Sequence, residues 1–334
     1  MNTIDTATAL RLRLYAGEAD VESIVRLINL ENEADGIPER TSVGEQRARY
    51  AHPSDKFDPA ADVTLADIDG EPVAYGTVDW VDTNDGTLRE YRVHGVVHPA
   101  WRRQGIGTRL LAHNERRVME IAAAHSVERP RAFGAFASDR QQARMRLLSG
   151  AGDAGVRYFF DMVLPSLDDV PDVPLPDGLE VRPITPDLYG RVWEADVDAF
   201  RDHWGGFDSS DAALQRFIDA PEFDPSLWVV AFDGEEIAGG VINGIYPEEN
   251  EALGVRRGWL DSVFTRRAWR RRGLARALIA QSLVVLRDRG ITSAMLGVDA
   301  ENPSGALGLY ESAGFQVEER YTAWRKPMEK ELSR

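Results

Sequence analysis

The sequence predicts an α+β fold made of two tandem copies of one domain, each a mixed, mostly antiparallel sheet flanked by helices. Its 334 residues exceed what one hydrophobic core usually serves, so two domains are expected. The tripeptide Ala-Trp-Arg occurs at 100–102 and again at 268–270, and a glycine and matching aliphatic residues follow it at the same offset. Such self-similarity over half a chain is typical of a duplicated domain. Each copy also opens alike, with a short alternating stretch before an amphipathic pattern, at 10–29 and at 179–200.

A segment rich in proline and acidic residues lies between the copies. Residues 164–180 carry four prolines and five acidic residues. Because proline lacks an amide hydrogen for a sheet ladder, the segment favours an extended linker over a strand. We therefore predict a first domain over 1–165, a linker over 166–178 and a second domain over 179–334.

The elements of the second copy follow from the hydrophobic pattern and the turn residues. Asp233-Gly234 between two apolar runs indicates a hairpin, and Gly290 after apolar residues at helical spacing indicates the end of a helix. In order, the predicted elements are a strand at 179–183, helices at 187–200 and 211–219, two hairpin strands within 227–246, a strand at 258–265, a helix at 273–289, a strand at 292–299, a helix at 304–314 and a strand at 315–326.

Composition excludes several classes of function. The chain has no cysteine, so disulfides, thiolate metal sites and cysteine nucleophiles are excluded. A formal net charge of -16 disfavours nucleic acid as the main partner and is compatible with a cationic amine substrate. Residues 1–15 show no signal-peptide pattern, and no window approaches the roughly 18 to 20 apolar residues of a membrane span. We expect a cytoplasmic protein with a small-molecule substrate and no membrane partner, and the scattered His94, His98 and His113 predict no metal site.

One short stretch runs against the acidic balance. Residues 265–278, TRRAWRRRGLARAL, carry six arginines at a strand-to-helix turn, and HPAWRRQGIGTRLL at 98–111 repeats the pattern. A helix start leaves about four amide hydrogens without partners, and together with the helix dipole they attract an anion. Gly273 lets a phosphate approach the backbone, and the arginines add charge-assisted contacts. The turn therefore predicts a phosphate or diphosphate ligand, with a solvated arginine face and a nucleic-acid patch as the alternatives.

These stretches resemble a known family. VHPAWRRQGIGTRLL and FTRRAWRRRGLARALI are similar to the acetyl-CoA-binding motif R/Q-x-x-G-x-G/A of the GNAT N-acetyltransferases, and VDAENPSGALGLYESAGFQV at 298–317 resembles a later motif of that superfamily. The resemblance covers both halves, so the chain looks like a tandem-GNAT protein. The second half is also similar to the mycothiol synthase-like proteins, which are built from two GNAT domains.

The resemblance implies roles for residues of the second copy. The amides of 271–275 would hold the diphosphate of coenzyme A, the strand backbone at 263–265 would pair with the pantetheine arm, and Asn302 would bond that arm or order the next helix. Tyr310 would protonate the departing thiolate, because a tyrosine with a pKa of about 10 keeps its proton at neutral pH; packing against Phe315 is the structural alternative. The implied cofactor-binding residues are Val263, Phe264, Thr265, Arg270, Arg271, Arg272, Gly273, Leu274, Ala275 and Asn302.

The proton acceptor departs from the family pattern. Many GNAT enzymes place a glutamate eleven residues before the first motif residue, and here that position is Trp259. Asp261, two residues later on the same strand face, is therefore the predicted base. Glu249 and Glu251, in a predicted loop, are rivals that also fit solvated charges. His203, before the second helix, is a candidate substrate contact.

The first copy keeps the turn but lacks the proton donor. Aligning 147–152 with 309–314 puts Leu148 where Tyr310 stands, and the same offset puts Arg140 in the place of Asn302. We predict that this copy is non-catalytic, since Tyr158, which could substitute, falls in a pattern typical of a buried terminal strand. The turn implied to bind the cofactor here consists of Arg102, Arg103, Gln104, Gly105, Ile106 and Gly107.

Together these features predict an N-acetyltransferase whose second copy moves an acetyl group from acetyl-CoA to a primary amine of a small molecule by direct attack. The alternative is a non-catalytic acyl-CoA sensor, which Trp259 favours and which Tyr310 and Asn302 disfavour. Nucleic-acid binding would require the arginines to face outward in one stripe.

Overall fold

The computed structural model describes residues 10–126, 128–302 and 304–328. Residues 1–9, which make up most of the segment predicted to lack a signal peptide, lie outside the described residues. Pro303, next to Asn302, also lies outside them. The described strands are β1 (Arg11–Leu14), β2 (Val63–Ile68), β3 (Glu71–Asp82), β4 (Arg89–Val97), β5 (Arg131–Ser138), β6 (Ala154–Leu164), β7 (Glu180–Val181), β8 (Val229–Asp233), β9 (Glu236–Ile245), β10 (Arg257–Thr265), β11 (Ser293–Asp299) and β12 (Gln316–Pro327). The described helices are α1 (Glu18–Asp35), α2 (Val43–Ala51), α3 (Pro59–Asp62), α4 (Ile106–Ala123), α5 (Gln142–Gly150), α6 (Tyr189–Phe200), α7 (Asp211–Ile218), α8 (Pro247–Leu253), α9 (Leu274–Asp288) and α10 (Ala306–Ser312).

The chain divides into two compact units. The first unit holds the described residues up to Arg157, the segment 205–216 and the residues from Tyr321 onward. The second unit holds 158–204 and 217–320. The units are therefore not the contiguous halves that the linker predicts, because each includes strand residues from the other half of the chain.

In the first unit the strands follow the order β1-β2-β3-β4-β5-β12. Neighbouring strands are antiparallel except β4 and β5, which run parallel. The parallel pairing covers only Arg89–Arg92 of β4, matched with Arg131–Gly134 of β5. The rest of β4 has no ladder on that side, so the sheet is split between the two strands.

The second unit repeats this plan with the order β6-β11-β10-β9-β8-β7. Here the parallel pair is β10 and β11, and it covers only Arg257–Trp259, matched with Ser293–Met295. The register between β10 and β9 shifts between Leu260 and Ser262, which places a bulge at Asp261. Both sheets are thus mixed and mostly antiparallel, which confirms the predicted fold class.

Helices cover both faces of the second sheet. Val241 and Ile242 are consecutive on β9 but belong to different apolar clusters, so the two clusters lie on opposite faces. The buried leucines of α9 pack on the Val241 face. Val192 and Ala199 of α6 pack on the Ile242 face, against Phe264 of β10. Helices α9 and α6 therefore pack on opposite faces of the sheet that contains the split between β10 and β11.

The proline-rich segment is packed rather than free. It forms no regular strand, but Leu167 is buried in the core of the second unit, and Val170, Leu175 and Leu179 pack against that core. Proline removes the ladder hydrogen bonds without preventing apolar side chains from being buried. The segment therefore belongs to the second unit.

The predicted elements of the second copy are present with small changes in their bounds, and one helix was missed. Glu249 and Glu251 were predicted to lie in a loop, and they lie in α8. Pro247 stands at its first turn and Gly254, with φ 67°, ends it, so the usual start and stop signals were present in the sequence. Among the described residues, every helix is too short or too polar to span a membrane.

Candidate active site

The two arginine-glycine turns have the same backbone conformation. In the second copy Arg271 has φ 62° and Gly273 has φ 84°; in the first copy Arg103 has φ 65° and Gly105 has φ 79°. Asp69 is the remaining non-glycine residue with positive φ in the described part of the chain. The left-handed conformation costs a non-glycine residue about 1–2 kcal/mol. Its recurrence at one position of both copies indicates a backbone shaped to form a concave set of amide groups, which is suited to an anion.

The amides of these turns are open. Gly273 and Gly105 are the N-cap residues of α9 and α4, and neither helix has a side-chain cap or an acidic residue in its first turn. A Cβ added at either glycine would meet no atom within 4 Å, so the space in front of the turn is clear. Arg271 and Arg272 are exposed and form no ion pair within the described ranges. These features fit a diphosphate group.

The side chain of the first arginine in each turn forms hydrogen bonds and ion pairs within the protein. Arg270 donates from Nε to the Thr265 carbonyl at 3.0 Å, from Nη2 to the Ala199 carbonyl at 2.9 Å and from Nη1 to Asp202 at 2.9 Å. Arg102 makes a bidentate pair with Asp35 at 2.7 and 2.8 Å. Both side chains therefore fasten the turn to the helix that covers it and are not directed at a phosphate.

Other residues of the turn contribute their backbone only. Leu274 and Ile106 are buried at 1% and 2% exposure in the cores beneath the turns, so their side chains cannot reach a ligand. Gln104 donates weakly to the Ala100 carbonyl at 3.4 Å. Ala275 and Gly107 lie in the first helical turns and carry no polar side chain. The candidate anion site therefore consists of backbone amides with exposed guanidinium groups at its rim.

The edge of β10 beyond Trp259 faces the split in the second sheet. Residues 262–265 pair with β9 but not with β11, so one side of this strand is free of a ladder. The Phe264 side chain is buried at 2% exposure, and Val263 is half-buried, so the backbone is the part of these residues that an extended ligand could pair with. The Thr265 Oγ1 atom is buried and has no hydrogen-bond partner among the residues that the structure describes. An unsatisfied hydroxyl between this edge and the turn is consistent with a polar ligand there.

Tyr310 lies on α10 at 6% exposure, with its ring 6.2 Å from the ring of Phe315 in an edge-to-face arrangement. Burial raises the pKa of Tyr310 to about 12. Its hydroxyl forms no hydrogen bond with the residues that the structure describes. The side chain therefore packs on Phe315 and also keeps a proton that is available for donation.

Asn302 caps the turn ahead of α10. Its Oδ1 accepts from the Ser304 amide at 2.8 Å, and its own amide donates to the Asp299 carbonyl at 3.1 Å. Of the two predicted roles, these contacts correspond to ordering the next helix. Because Oδ1 of Asn302 already accepts a hydrogen bond, the side-chain NH2 group remains available to a ligand.

The carboxylates near β10 differ from what the sequence predicts. Glu249 is not a solvated charge: it is 7% exposed, and its Oε1 accepts from Arg257 at 2.7 Å and from the Trp259 Nε1–H at 3.0 Å. Glu251 is exposed on α8. Asp261 is exposed at the bulge, with its carboxylate over Gly244, where an added Cβ would collide with it. Glu249 is thus a structural ion-pair residue, and Asp261 stays a predicted base.

Sequence reasoning missed a further carboxylate, Asp196 on α6. Its Oδ1 accepts a hydrogen bond from Ser262 Oγ at 2.5 Å. Burial raises the pKa of Asp196 to about 6, although the Ser262 hydrogen bond acts in the opposite direction. An acidic residue among the apolar positions Val192, Ala195 and Ala199 was the signal available in the sequence.

His203 follows α6 and packs its ring 4.1 Å from the ring of Phe200. Burial lowers the pKa of His203, so the ring is neutral at physiological pH. Asp202, its neighbour, binds Arg267 and Arg270, which hold the pKa of that carboxyl well below its usual range. His203 therefore lies beside the fastened turn, where it stays a candidate substrate contact.

The first unit has its own cleft, a cavity of about 400 Å³ lined by the split between β4 and β5, the turn, α1 and α5. Its strand edge is already bonded: Arg144 donates to the Gly95 carbonyl at 2.7 Å and to Glu31 at 2.5 Å. Leu148 is buried at 4% exposure in the place of Tyr310. The cleft keeps the anion turn, but its own side chains occupy the strand edge and its wall carries no proton donor at that position.

Other predicted residues of the first copy have structural contacts. Arg140 donates to the Gly36 carbonyl. Tyr158 is 54% exposed, so the prediction that it is buried was wrong; it lies near the start of β6, outside the core. His98 caps the turn at Pro99–Trp101 by accepting from the Ala100 amide at 3.1 Å. Within the described residues no group of histidine and carboxylate side chains is arranged to hold a metal ion.

Known proteins are similar to both halves of the chain. The Acetyltransferase (GNAT) family matches residues 190–315, and an Acetyltransferase (GNAT) domain matches residues 59–136. A mycothiol acetyltransferase of Salinispora tropica is 32% identical over 310 residues, which cover 91% of each chain.

Solved structures show the same architecture. A GCN5-related N-acetyltransferase from Sphaerobacter thermophilus superimposes with a TM-score of 0.71 at 28% identity, over 96% of each chain. A tandem GNAT protein from the clavulanic acid biosynthesis pathway superimposes with a TM-score of 0.67 at 17% identity, over 96% of this chain and 99% of that one. The second likeness concerns the fold alone.

Proposed function

Because the chain belongs to the GNAT acetyltransferase family and is an acyl-CoA-dependent N-acyltransferase, we propose that its second copy transfers an acetyl group from acetyl-CoA to a primary amine of a small molecule. The observation that carries this proposal is the combination, in one unit, of an open amide turn at Gly273 and a buried, protonated Tyr310. The mycothiol acetyltransferase name of the relatives supports a small amine as acceptor.

Each part of the site has one task in this proposal. The amides of 271–275 bind the diphosphate, with Arg271 and Arg272 adding positive charge at the rim. The free edge of β10 at Val263 and Phe264 pairs with the extended arm of the cofactor. Acetyl-CoA supplies the acyl group as a thioester, and strand amides near the bulge stabilise the negative charge that develops on its carbonyl oxygen. Tyr310 gives its proton to the departing thiolate.

The first copy binds an anion at its turn and does not catalyse transfer. Leu148 offers no proton, and Arg144 covers the strand edge at Gly95. This asymmetry between the copies supports turnover in the second unit.

The proposal is tested by mixing the protein with acetyl-CoA and a panel of small amines and following free thiol release. Turnover with a primary amine is the expected result. Binding of acetyl-CoA without turnover on any amine would instead identify a sensor.

The turn itself gives a second test. Gly273→Ala puts a methyl group into the space before the amides and strains a residue whose φ is 84°. We expect the Kd for coenzyme A at the second copy to rise about tenfold, since such a residue costs roughly 1–2 kcal/mol in the left-handed region. Isothermal titration calorimetry and the KM for acetyl-CoA measure the effect.

Gly234→Ala is the matched control. Gly234 also has positive φ, 56°, and open space around it, but it lies in the hairpin between β8 and β9. An equal loss of affinity in this variant, or none in Gly273→Ala, would contradict the role of the turn.

A further inference from the structure

Asp196 is a half-buried carboxylate on the apolar side of α6. It shares α6 with the buried Val192, Ala195 and Ala199, and its contact in the described structure is the hydrogen bond from Ser262. No arginine or lysine forms an ion pair with it in that part of the chain. Burying a charge without a counter-charge is unfavourable, so residues of this kind are concentrated at functional sites.

The partner of Asp196 lies at the split strand. Ser262 follows Asp261, the bulged residue of β10, and it pairs with Ile242 on the face that α6 covers. A bulge redirects side chains and commonly adjoins an active site. It brings Asp261 and Ser262 to the same region as Trp259, the position at which the family pattern has its glutamate.

We propose that Ser262 and Asp196 form the proton-accepting pair of the second copy and replace the glutamate that is absent at Trp259. This inference rests on the proposed function. Ser262 contacts the substrate ammonium group, and Asp196 is the positioning residue behind it, which orients the hydroxyl and receives its proton.

The protons and bonds balance as follows. Ser262 Oγ takes one proton from the ammonium group while its own proton passes to Asp196 Oδ1, which frees the nitrogen lone pair. The nitrogen forms a bond to the acetyl carbon, the carbon–sulfur bond breaks, and the thiolate takes the proton of Tyr310. The second proton lost by the nitrogen restores Tyr310. The proton on Asp196 passes to solvent before the next turnover.

The charge state of Asp196 suits this task. Burial raises its pKa to about 6, so near neutral pH the group is ionised and able to accept a proton. Among the elements packed against α6, β10 carries Asp261 and Arg257, and Arg257 is paired with Glu249. β9 carries Glu236, which is paired with Arg266. The turn at Pro186–Leu188 carries Asp187. On α6 itself Asp198 pairs with Arg266 and Arg201. We therefore expect kcat to rise with pH through about 6.

The test compares Asp196→Asn and Ser262→Ala with Asp261→Asn. Asp196→Asn keeps the shape and the hydrogen bond but accepts no proton, so we expect kcat to fall about 100-fold, with an unchanged KM for acetyl-CoA and without the rise near pH 6. Ser262→Ala should show the same loss. An acceptor amine whose own pKa lies below the assay pH arrives already neutral, and it should restore the rate of both variants.

Three results would overturn the inference. One is full activity of Asp196→Asn with the wild-type pH profile. Another is a loss that is equal for ionised and neutral amines, which would indicate a structural role. The third is that Asp261→Asn, and not Asp196→Asn, lowers kcat and removes its rise near pH 6. Absence of turnover by the wild-type protein on every amine is a different outcome: it refutes the proposed function, and the inference falls with it.

Discussion

Tyr310→Phe should lower kcat at least about 100-fold, because it removes the proton donor from the departing thiolate. The change deletes one oxygen atom and leaves the ring against Phe315. Since the hydroxyl forms no hydrogen bond within the described structure, no buried partner is left unsatisfied. The loss should therefore appear in kcat, with an unchanged KM for acetyl-CoA and an unchanged urea unfolding midpoint. Steady-state kinetics and urea unfolding give both readouts.

Tyr158→Phe is the matched control, since Tyr158 is 54% exposed and lies outside the candidate site. It should retain the kinetic constants of the wild-type chain. Burial raises the pKa of Tyr310 to about 12, so its proton stays in place as the pH rises through neutrality and is lost only in strong alkali. Tyr310→Phe with wild-type kcat would refute the donor role.

The turn and the position of Tyr310 could be predicted because both depend on local sequence. Gly273 and its arginines are contiguous in sequence, and a strand followed by a glycine and a helix defines the amide geometry. Tyr310 is fixed by a helix of seven residues that begins after Gly305. What the sequence did not show is the conformation of Arg271, whose positive φ depends on the turn that holds it.

The proposed proton-accepting pair could not be predicted, because its two residues are distant in sequence. Asp196 and Ser262 are 66 residues apart and meet only when α6 packs on β10. Glu249 was interpreted as a solvated charge because its partner, Arg257, follows an unrecognised helix. The direction of Arg270 likewise depends on Asp202, which comes from the segment after α6. Tertiary contacts decided each of these three roles.

Tertiary contacts also decide which unit each of the strands β6 and β12 joins. The sequence predicts a terminal strand around Tyr158 and a strand at 315–326, but such patterns do not specify the neighbouring strand. Residues 159–164 pair with β11, and Tyr321–Pro327 pair with β5. Arg325 meets the buried Glu90, and Lys326 meets Glu115, which fixes the final strand in the first unit. These ion pairs join residues that are more than 200 positions apart.

Glu249→Gln should lower the free energy of unfolding by about 3 kcal/mol, the scale for breaking a buried ion pair. Glu249 and Arg257 are each about 7% exposed at their side chains, so the substitution leaves the guanidinium buried without its counter-charge. The neutral amide is also a weaker acceptor for the Trp259 Nε1–H. Urea unfolding followed by tryptophan fluorescence measures the change. The folded variant should keep the pH dependence of kcat, because in our account Glu249 takes no proton from the substrate.

Asp196→Asn should change stability in the opposite direction, and this contrast separates the half-buried Asp196 from the buried Glu249. The pKa of Asp196 is higher in the folded chain than its ordinary value of 3.8, so the folded state binds the proton more tightly than the unfolded state. The stability due to this group is greatest at pH values below its ordinary pKa and is lost as the pH rises through about 6. Above that pH, Asp196→Asn should raise the free energy of unfolding by up to about 3 kcal/mol, the energy equivalent of the shift. Thermal unfolding at a series of pH values measures this change. A higher free energy of unfolding in Glu249→Gln, or a lower one in Asp196→Asn above pH 6, would contradict the assignment of Glu249 to structure and of Asp196 to chemistry.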